Sequence, residues 1–373
     1  MVLDVTSEVE ATICRMGGCV QSLHEGSIVL NDDLHMIEGD LDQRRSVPPV
    51  AVYQRRMPNE QDWKAEFRRL LLADGVESLS EAIALKDAHA PEKLFKFFRP
   101  TDYAFDGLQN DSLYLAPPVD FNDPYDSGVT MSGPQALVRA LVEGPLVPDW
   151  SELGDERLSQ EDFLSVVEGR VSDEALQRFA AMDPDTPLDD MRKVLGAFPL
   201  VVGQLFQQMA GQMQTGFQQR LKVTCFTEQA TTPVLWAHYA DNHAGFCVEY
   251  AYADIPSDLP QRRLLFPVIY QSERFDLNAT MRRGLAGDLP NLSLGIAASL
   301  HKSPEWAYER EWRMVNPDGR EGGLTVPFVT PRRVVAGMKM SPEHLARLTE
   351  ICGARGIALA RPSLSPMGYD IVL

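Results

Sequence analysis

The sequence predicts an α+β protein built on largely antiparallel sheet, with a helical insertion. Three observations carry that reading: strand-type runs dominate both flanks of the main body, the stretch from about 130 to 222 carries helical signals, and no repeat or low-complexity tract interrupts the pattern. With 373 residues, 44% of them hydrophobic, the chain is long enough for about two domains and for a core that needs no disulfides. We divide it into an N-terminal extension with a helical pair (1–90) and a main α+β domain (91–373).

Residues 1–57 are mixed in character, with acidic patches around Asp32-Asp33 and Glu38-Gly39-Asp40, and read as a small β-rich appendage or a partner-binding arm. From Asn59, an N-cap candidate, Trp63, Phe67, Leu70 and Leu71 recur at helical spacing until Gly75, and a second short helix runs from Ser80 toward His89. Leu94-Phe95-Lys96-Phe97-Phe98-Arg99 and Ser112-Leu113-Tyr114-Leu115-Ala116 read as strands, with a short helix over 103–108 between them. Pro117-Pro118 and Asn122-Asp123-Pro124 cannot continue a sheet, because proline removes ladder donors, so this segment is a shaped loop at a strand end.

In the insertion, Ser159 caps a run through Phe163 and Val167. Leu205, Met209, Met213, Phe217 and Leu221 recur every fourth residue, a stripe better read as core than as a cofactor box. Strands follow at 222–227, 245–250 and 264–270, with a short helix over 235–239 and another over 292–300. A strand from Glu309 to Val315 comes next, then 324–328 and 334–338. Ser341-Pro342 opens a last helix, which Gly353 is expected to end before a strand near 357–360.

With 53 acidic against 35 basic side chains the net charge is −18, a field that repels phosphate backbones and anionic lipid surfaces. Non-specific nucleic-acid binding and membrane association are therefore not expected. Five cysteines (Cys14, Cys19, Cys225, Cys247, Cys352) form no CxxC pair, which argues against a zinc site or disulfide framework and for a reducing compartment. No apolar run approaches the roughly 20 residues of a membrane span, and the acidic N-terminus lacks a secretory signal, so a cytoplasmic location is expected.

The sharpest chemical feature is Tyr308-Glu309-Arg310-Glu311-Trp312-Arg313. As a strand its period of two puts Glu309, Glu311 and Arg313 on one face, an acid/base-capable triplet whose members would pull one another's pKa values apart. The alternative is a solvated face with cross-strand ion pairs. No GxxxxGK[ST] or GxGxxG occurs, so an anionic cofactor would have to meet basic side chains such as Lys96, Arg99 or Lys302; for Lys96 and Arg99 a solvent-facing strand edge explains the residues equally well. His238 and His243 are five apart, not the four of a helical metal pair, so a metal would need Asp123 or Glu228 from elsewhere. Cys225 and Cys247 sit in apolar strands as buried thiols.

Four ordered segments carry a resemblance: Leu94-Phe95-Lys96-Phe97; Phe121-Asn122-Asp123-Pro124; Cys225-Phe226-Thr227-Glu228 with Trp236-Ala237-His238-Tyr239 and Gly245-Phe246-Cys247; and Lys302 with Trp306-Ala307-Tyr308-Glu309-Arg310-Glu311-Trp312-Arg313. Together they resemble the bacterial family filed as domain of unknown function 2971, over residues 91 to about 345. Phe97 stands where that pattern commonly has tyrosine, and Thr227 where it commonly has serine.

The layout also resembles, distantly, an ADP-ribosyltransferase, which implies a split β-sandwich and NAD as substrate. Carried over, that resemblance gives Lys96 or Arg99 the early basic role, Thr227 the central hydroxyl, and Glu311 the late glutamate that stabilises an oxocarbenium-like transition state. Glu309 would orient the acceptor or assist its deprotonation, Tyr239 or Trp236 would stack on nicotinamide, and His238 and Arg313 complete the cofactor-facing set. The expected partners are thus a nucleotide cosubstrate and an acceptor, with a protein partner at residues 1–57, in the setting of a toxin or defence effector. Two alternatives stand beside it: a metal-dependent hydrolase or nuclease using Asp123, Glu228, His238 and Glu309, and a non-catalytic binding or sensor module with an ion-paired scaffold.

Overall fold

A computed structural model of the chain describes residues 60–73, 75–143, 158–285, 293–368 and 371–373; the acidic arm at 1–57 and the Asn59 cap lie outside them. Seven strands join in one sheet: Lys93–Phe98 (β1), Lys222–Thr227 (β2), Phe246–Ala251 (β3), Leu265–Pro267 (β4), Glu311–Asn316 (β5), Arg333–Ala336 (β6) and Ala358–Ala360 (β7). Their spatial order is β7-β6-β3-β1-β2-β5-β4, antiparallel except for the pair β6 and β7. A parallel pair needs a crossover, and the helix Pro342–Arg355 between those two strands supplies it. Four two-stranded ladders stand around the sheet among the described residues, among them Ser112–Leu115 with Leu324–Pro327 and Ile269–Tyr270 with His301–Lys302. The class is α+β with mostly antiparallel pairing, as the run pattern predicts.

The helices follow local signals. Glu60–Leu72 (α1) and Val76–Ala88 (α2) are separated by Gly75 at φ 99°, and bury Phe67, Leu70, Leu71 and Ala82 against Phe266 and Val315 of the sheet. Asp102–Gln109 (α3) starts at Thr101, whose side chain accepts from the Ala104 N–H. The insertion holds Pro134–Val142 (α4), Gln160–Val167 (α5), Asp173–Met182 (α6) and the 33-residue Leu188–Arg220 (α7). At α5, Ser159 and Asp162 form a reciprocal capping box. In α7 the Met209, Met213 and Phe217 stripe is half-buried against the core, so the core reading of that stripe holds for one side of the helix. Against the expectation of no apolar run near span length, α7 contains a window of mean hydropathy 1.2 long enough to cross a membrane by length and composition; α4, α5 and α6 pack against it.

Three local expectations are corrected. The strand expected from Glu309 begins at Glu311, because Ser303-Pro304 opens a 3-10 helix over Pro304–Glu309 and Arg310 then turns at φ 42°. The final helix runs past Gly353 and ends at Gly356, whose φ of 65° is the left-handed stop that glycine provides without strain. And β1, treated above as a candidate edge, is central, between β2 and β3.

Register fixes which side chains share a face. On one face Leu94, Phe226, Phe246, Val248, Trp312, Met314 and Val334 pack with α3 and the last helix, here α10 (Pro342–Arg355), once Pro233–Tyr239 (α8) and Leu294–Ser299 (α9) are counted. On the other, Phe95, Cys247 and Val335 pack on Trp236 of α8, and Val223 and Val315 pack under α1, α7 and α9. Between those two apolar clusters, at the β5 start, the second face carries charge.

Candidate functional site

Thr227, Glu311 and Phe95 lie in one row across β1, β2 and β5, since Thr227 pairs with Phe95 on one side and with Glu311 on the other. Two residues along β5, Arg313 pairs with Cys225. Alternation therefore sets Glu311, Arg313, Cys225 and Thr227 on the same face. Arg313 is 0% exposed, and all five of its N–H groups are used. Its Nε and Nη2 donate to the two Glu311 oxygens at 2.8 and 3.1 Å; Nη1 and Nη2 donate to the Asp126 oxygens at 2.8 and 2.6 Å; and Nη1 also donates to the Ser299 carbonyl at 2.5 Å. Burial works against the guanidinium charge, but Asp126 and Glu311 outweigh it and push its pKa further up.

Lys302 reaches the same carboxylate from its short ladder with Ile269–Tyr270, donating to Glu311 Oε2 at 3.0 Å and to Glu309 Oε2 at 2.6 Å. Glu309 closes the chain: its Oε1 accepts the Tyr239 hydroxyl at 2.6 Å, and its backbone carbonyl accepts the Thr227 hydroxyl at 2.5 Å. Tyr270 accepts the Glu311 backbone N–H at 2.9 Å. The result is an alternating series Asp126, Arg313, Glu311, Lys302, Glu309 in which every charge is buried against an opposite one.

The two glutamates differ sharply. Burial alone would raise Glu311, yet Arg313 and Lys302 hold its carboxyl far below the ordinary range, so it is a fixed anion. For Glu309, burial and then the Glu311 charge raise the pKa, and Lys302 and Tyr239 only partly offset them. Neighbouring carboxylates with divided pKa values are the condition for separate acid/base roles. Burial and the Glu309 charge also keep the Tyr239 phenol protonated as a donor.

Asp126 comes from the proline-rich loop, 187 residues away in sequence from Arg313. The loop is shaped for this: Asp123 Oδ1 accepts the Tyr125 N–H, Ser127 sits at φ 57°, and at Gly128 an added Cβ would meet the Tyr125 carbonyl at 2.5 Å. Ser127 donates to Asp126 Oδ1, and the Phe121 ring lies over the Arg313 guanidinium.

Of the residues singled out in the sequence, Glu309, Glu311, Arg313, Thr227, Tyr239 and Lys302 are brought together. Lys96 is not. It leaves β1 on the opposite face, against the Phe98 and Phe226 rings, and its ammonium donates to the Cys225 carbonyl at 3.2 Å. Burial lowers its pKa against the pull of Cys225 and Glu311. Arg99 is exposed just beyond β1. Trp236 is buried, donates to the Ala230 carbonyl at 2.7 Å and meets Phe97 edge-on, which leaves no open face for stacking. His238 is exposed, with its Nδ1 3.5 Å from the Tyr308 hydroxyl and its ring against Trp306. Among the described residues no three His, Cys, Asp or Glu side chains are placed to hold a metal ion; Glu228 instead accepts the Trp312 indole N–H at 2.8 Å. Cys225 and Cys247 are protonated thiols, held so by burial.

The sequence reading missed Asp126, Tyr270 and Ser299. Only Asp126 had a signal within reach: a buried arginine beside one carboxylate calls for a second, and Asp126 lies two residues beyond Phe121-Asn122-Asp123-Pro124, the segment whose Asp123 the sequence offers as a metal ligand.

No curated protein and no solved structure matches the chain. Residues 235–314, which carry most of α8, Lys302, both glutamates and Arg313, match the model of the family described as a protein of unknown function, DUF2971, the family that the four ordered segments resemble.

Proposed function

We propose that the protein is an NAD-consuming transferase of the ADP-ribosyltransferase kind, acting in the cytoplasm as a toxin or defence effector. The observation that carries this reading is the pair of buried carboxylates on either side of Lys302, one locked as an anion and one with a raised pKa. The meeting of Thr227, Tyr239 and Lys302 at Glu309 supports it further, whereas Lys96 of the first resembling segment takes no part.

In this reading the bond between ribose C1′ and the nicotinamide nitrogen breaks, and its electron pair leaves with nicotinamide. Glu311, preorganised by Arg313, stabilises the positive charge that develops on the ribose. An acceptor oxygen or nitrogen then bonds to C1′ and gives its proton to the Glu309 carboxylate. The half-buried Cys225, Tyr239 and Tyr270 form the edge of the network from which a substrate approaches.

The test is nicotinamide release from NAD by the purified full chain, with and without acceptors. Glu311→Gln should lower kcat by about 100-fold or more, the scale of losing a preorganised electrostatic contact. No release with any acceptor, or release by Glu311→Gln equal to wild type, defeats the reading.

One observation favours a non-catalytic module instead: the charges are satisfied within the network, and a cavity of about 340 Å³ is lined by other residues, among them Met213, Phe217 and Arg220. Nucleotide binding without turnover would select that reading.

A further inference from the structure

We infer that Asp126 is a positioning residue, which sets the orientation of the Glu311 carboxylate and the charge balance of the whole network through the planar fork of Arg313. This rests on the proposed reaction only for its kinetic arm. A guanidinium that holds two carboxylates at once fixes both in its own plane, because each pair of parallel N–H bonds has one good direction. Here Arg313 has no N–H left over, so Glu311 can turn only if Arg313 turns, and Arg313 can turn only if it releases Asp126.

The loop around Asp126 fits a holding role. Ser127 donates to its carboxylate, Gln218 of α7 donates to its backbone carbonyl at 2.7 Å, and the left-handed turn at Ser127 followed by Gly128 ends the loop without room for a Cβ at 128. The loop is thus tied to both α7 and β5. Asp126 is 2% exposed, with both carboxylate oxygens taken by Arg313, so it meets no substrate itself.

The charge arm follows from the series of ions. Glu309 is faced by Lys302, Glu311, Tyr239, Tyr270 and Tyr308. Loss of the Asp126 charge leaves Arg313 less neutralised, which makes the network more positive and favours the Glu309 carboxylate. The Glu309 midpoint should therefore fall.

The experiment uses Asp126→Asn, which keeps the shape and one acceptor, and Asp126→Glu, which keeps the charge but displaces the oxygens. In protein labelled with ¹³C at glutamate side chains, the Glu309 carboxyl is titrated without any NAD. Asp126→Asn should lower its midpoint by about half a unit or more, and Asp126→Glu should leave it within about 0.2 unit. With NAD, both variants should lose kcat by about tenfold or more at nearly unchanged KM, because the interaction lost is one made in the transition state. An unmoved Glu309 midpoint in folded Asp126→Asn overturns the coupling, whether or not the chain consumes NAD. Should Asp126→Asn not fold, Asp126→Glu decides: full kcat in it overturns the positioning role, and the tenfold loss with native near-UV dichroism supports it.

Discussion

On one face of β5, Trp312 and Met314 are each 1% exposed and lie among Phe226, Leu265 and Tyr252; on the other, Glu311 and Arg313 are 4% and 0% exposed and are held chiefly by charges, with the Ser299 carbonyl and the Phe121 ring against Arg313. The same strand is equally dry on both sides. The apolar face draws its stability from area removed from water, about 25 cal/mol per Å². The charged face begins with a desolvation cost for each ion, and the ion pairs at best return it. Val315, two residues beyond Arg313 on that face, is again packed in an apolar cluster. Glu249 of β3 is a second buried ion on that face, held by Lys93 and Arg333. Folding at the β5 start would be served as well by leucine, so the ion series there is what the proposed reaction would put to use.

The comparison is broken or upheld first by Arg313→Met. It strands Asp126 and Glu311 as buried anions and should cost about 3–5 kcal/mol in urea unfolding. Replacing Asp126, Glu311 and Arg313 together by apolar residues of similar volume should recover most of that loss while abolishing activity. If the triple replacement is no more stable than Arg313→Met, the ions are holding the fold and the contrast between the faces fails.

Met314→Ala, on the opposite face, is the matching control. A cavity there should cost about 2–5 kcal/mol, with kcat near wild type at temperatures where the variant is folded. Loss of turnover comparable to that of Glu311→Gln would show that the two faces are not separable in function.

Much of the frame behind this contrast was legible in the sequence, and the failures have physical causes. Strands β1, β2, β3 and β6 announced themselves by apolar and aromatic runs, and the caps Ser159 and Ser341 by hydroxyls that accept from the first helical turn. The carboxylate pair was visible as a spacing of two. Its geometry was not, because the turn at Arg310 places a non-glycine residue in left-handed backbone, which no local signal foretells. Lys96 was readable as a strand residue, but whether its strand lay at an edge or in the middle depends on pairings with residues more than 120 positions away. Asp126 and Arg313 meet across an even longer gap. Sequence period reports which side chains share a face; it does not report which strands become neighbours.

A smaller effect separates the two glutamates by pH. Because the folded state raises the Glu309 pKa, it binds more protons than the unfolded chain just above the ordinary glutamate range, and the stability that proton confers is lost as pH rises through the folded value. Glu311, with its lowered pKa, acts in the opposite sense and only at more acidic pH. As pH rises above the ordinary glutamate range, then, wild type should lose stability relative to Glu309→Gln. Parallel stability curves for the two proteins over that range would mean that Glu309 is ionised throughout and that the glutamates are not divided.

The finest test of the division is Tyr239→Phe, which removes one hydroxyl and leaves the ring. Its bond to Glu309 Oε1 is made at the half-buried edge of the network, so water can replace part of it, and the loss should be about 1 kcal/mol. The informative reading is the titration. That hydroxyl stabilises the carboxylate, so without it the Glu309 midpoint should move up, the reverse of the shift expected for Asp126→Asn. Two variants on opposite ends of one ionic series, moving the same carboxyl in opposite directions, would trace the coupling from the proline-rich loop to α8. A midpoint that Tyr239→Phe leaves unchanged would confine the coupling to Arg313, Lys302 and their two glutamates.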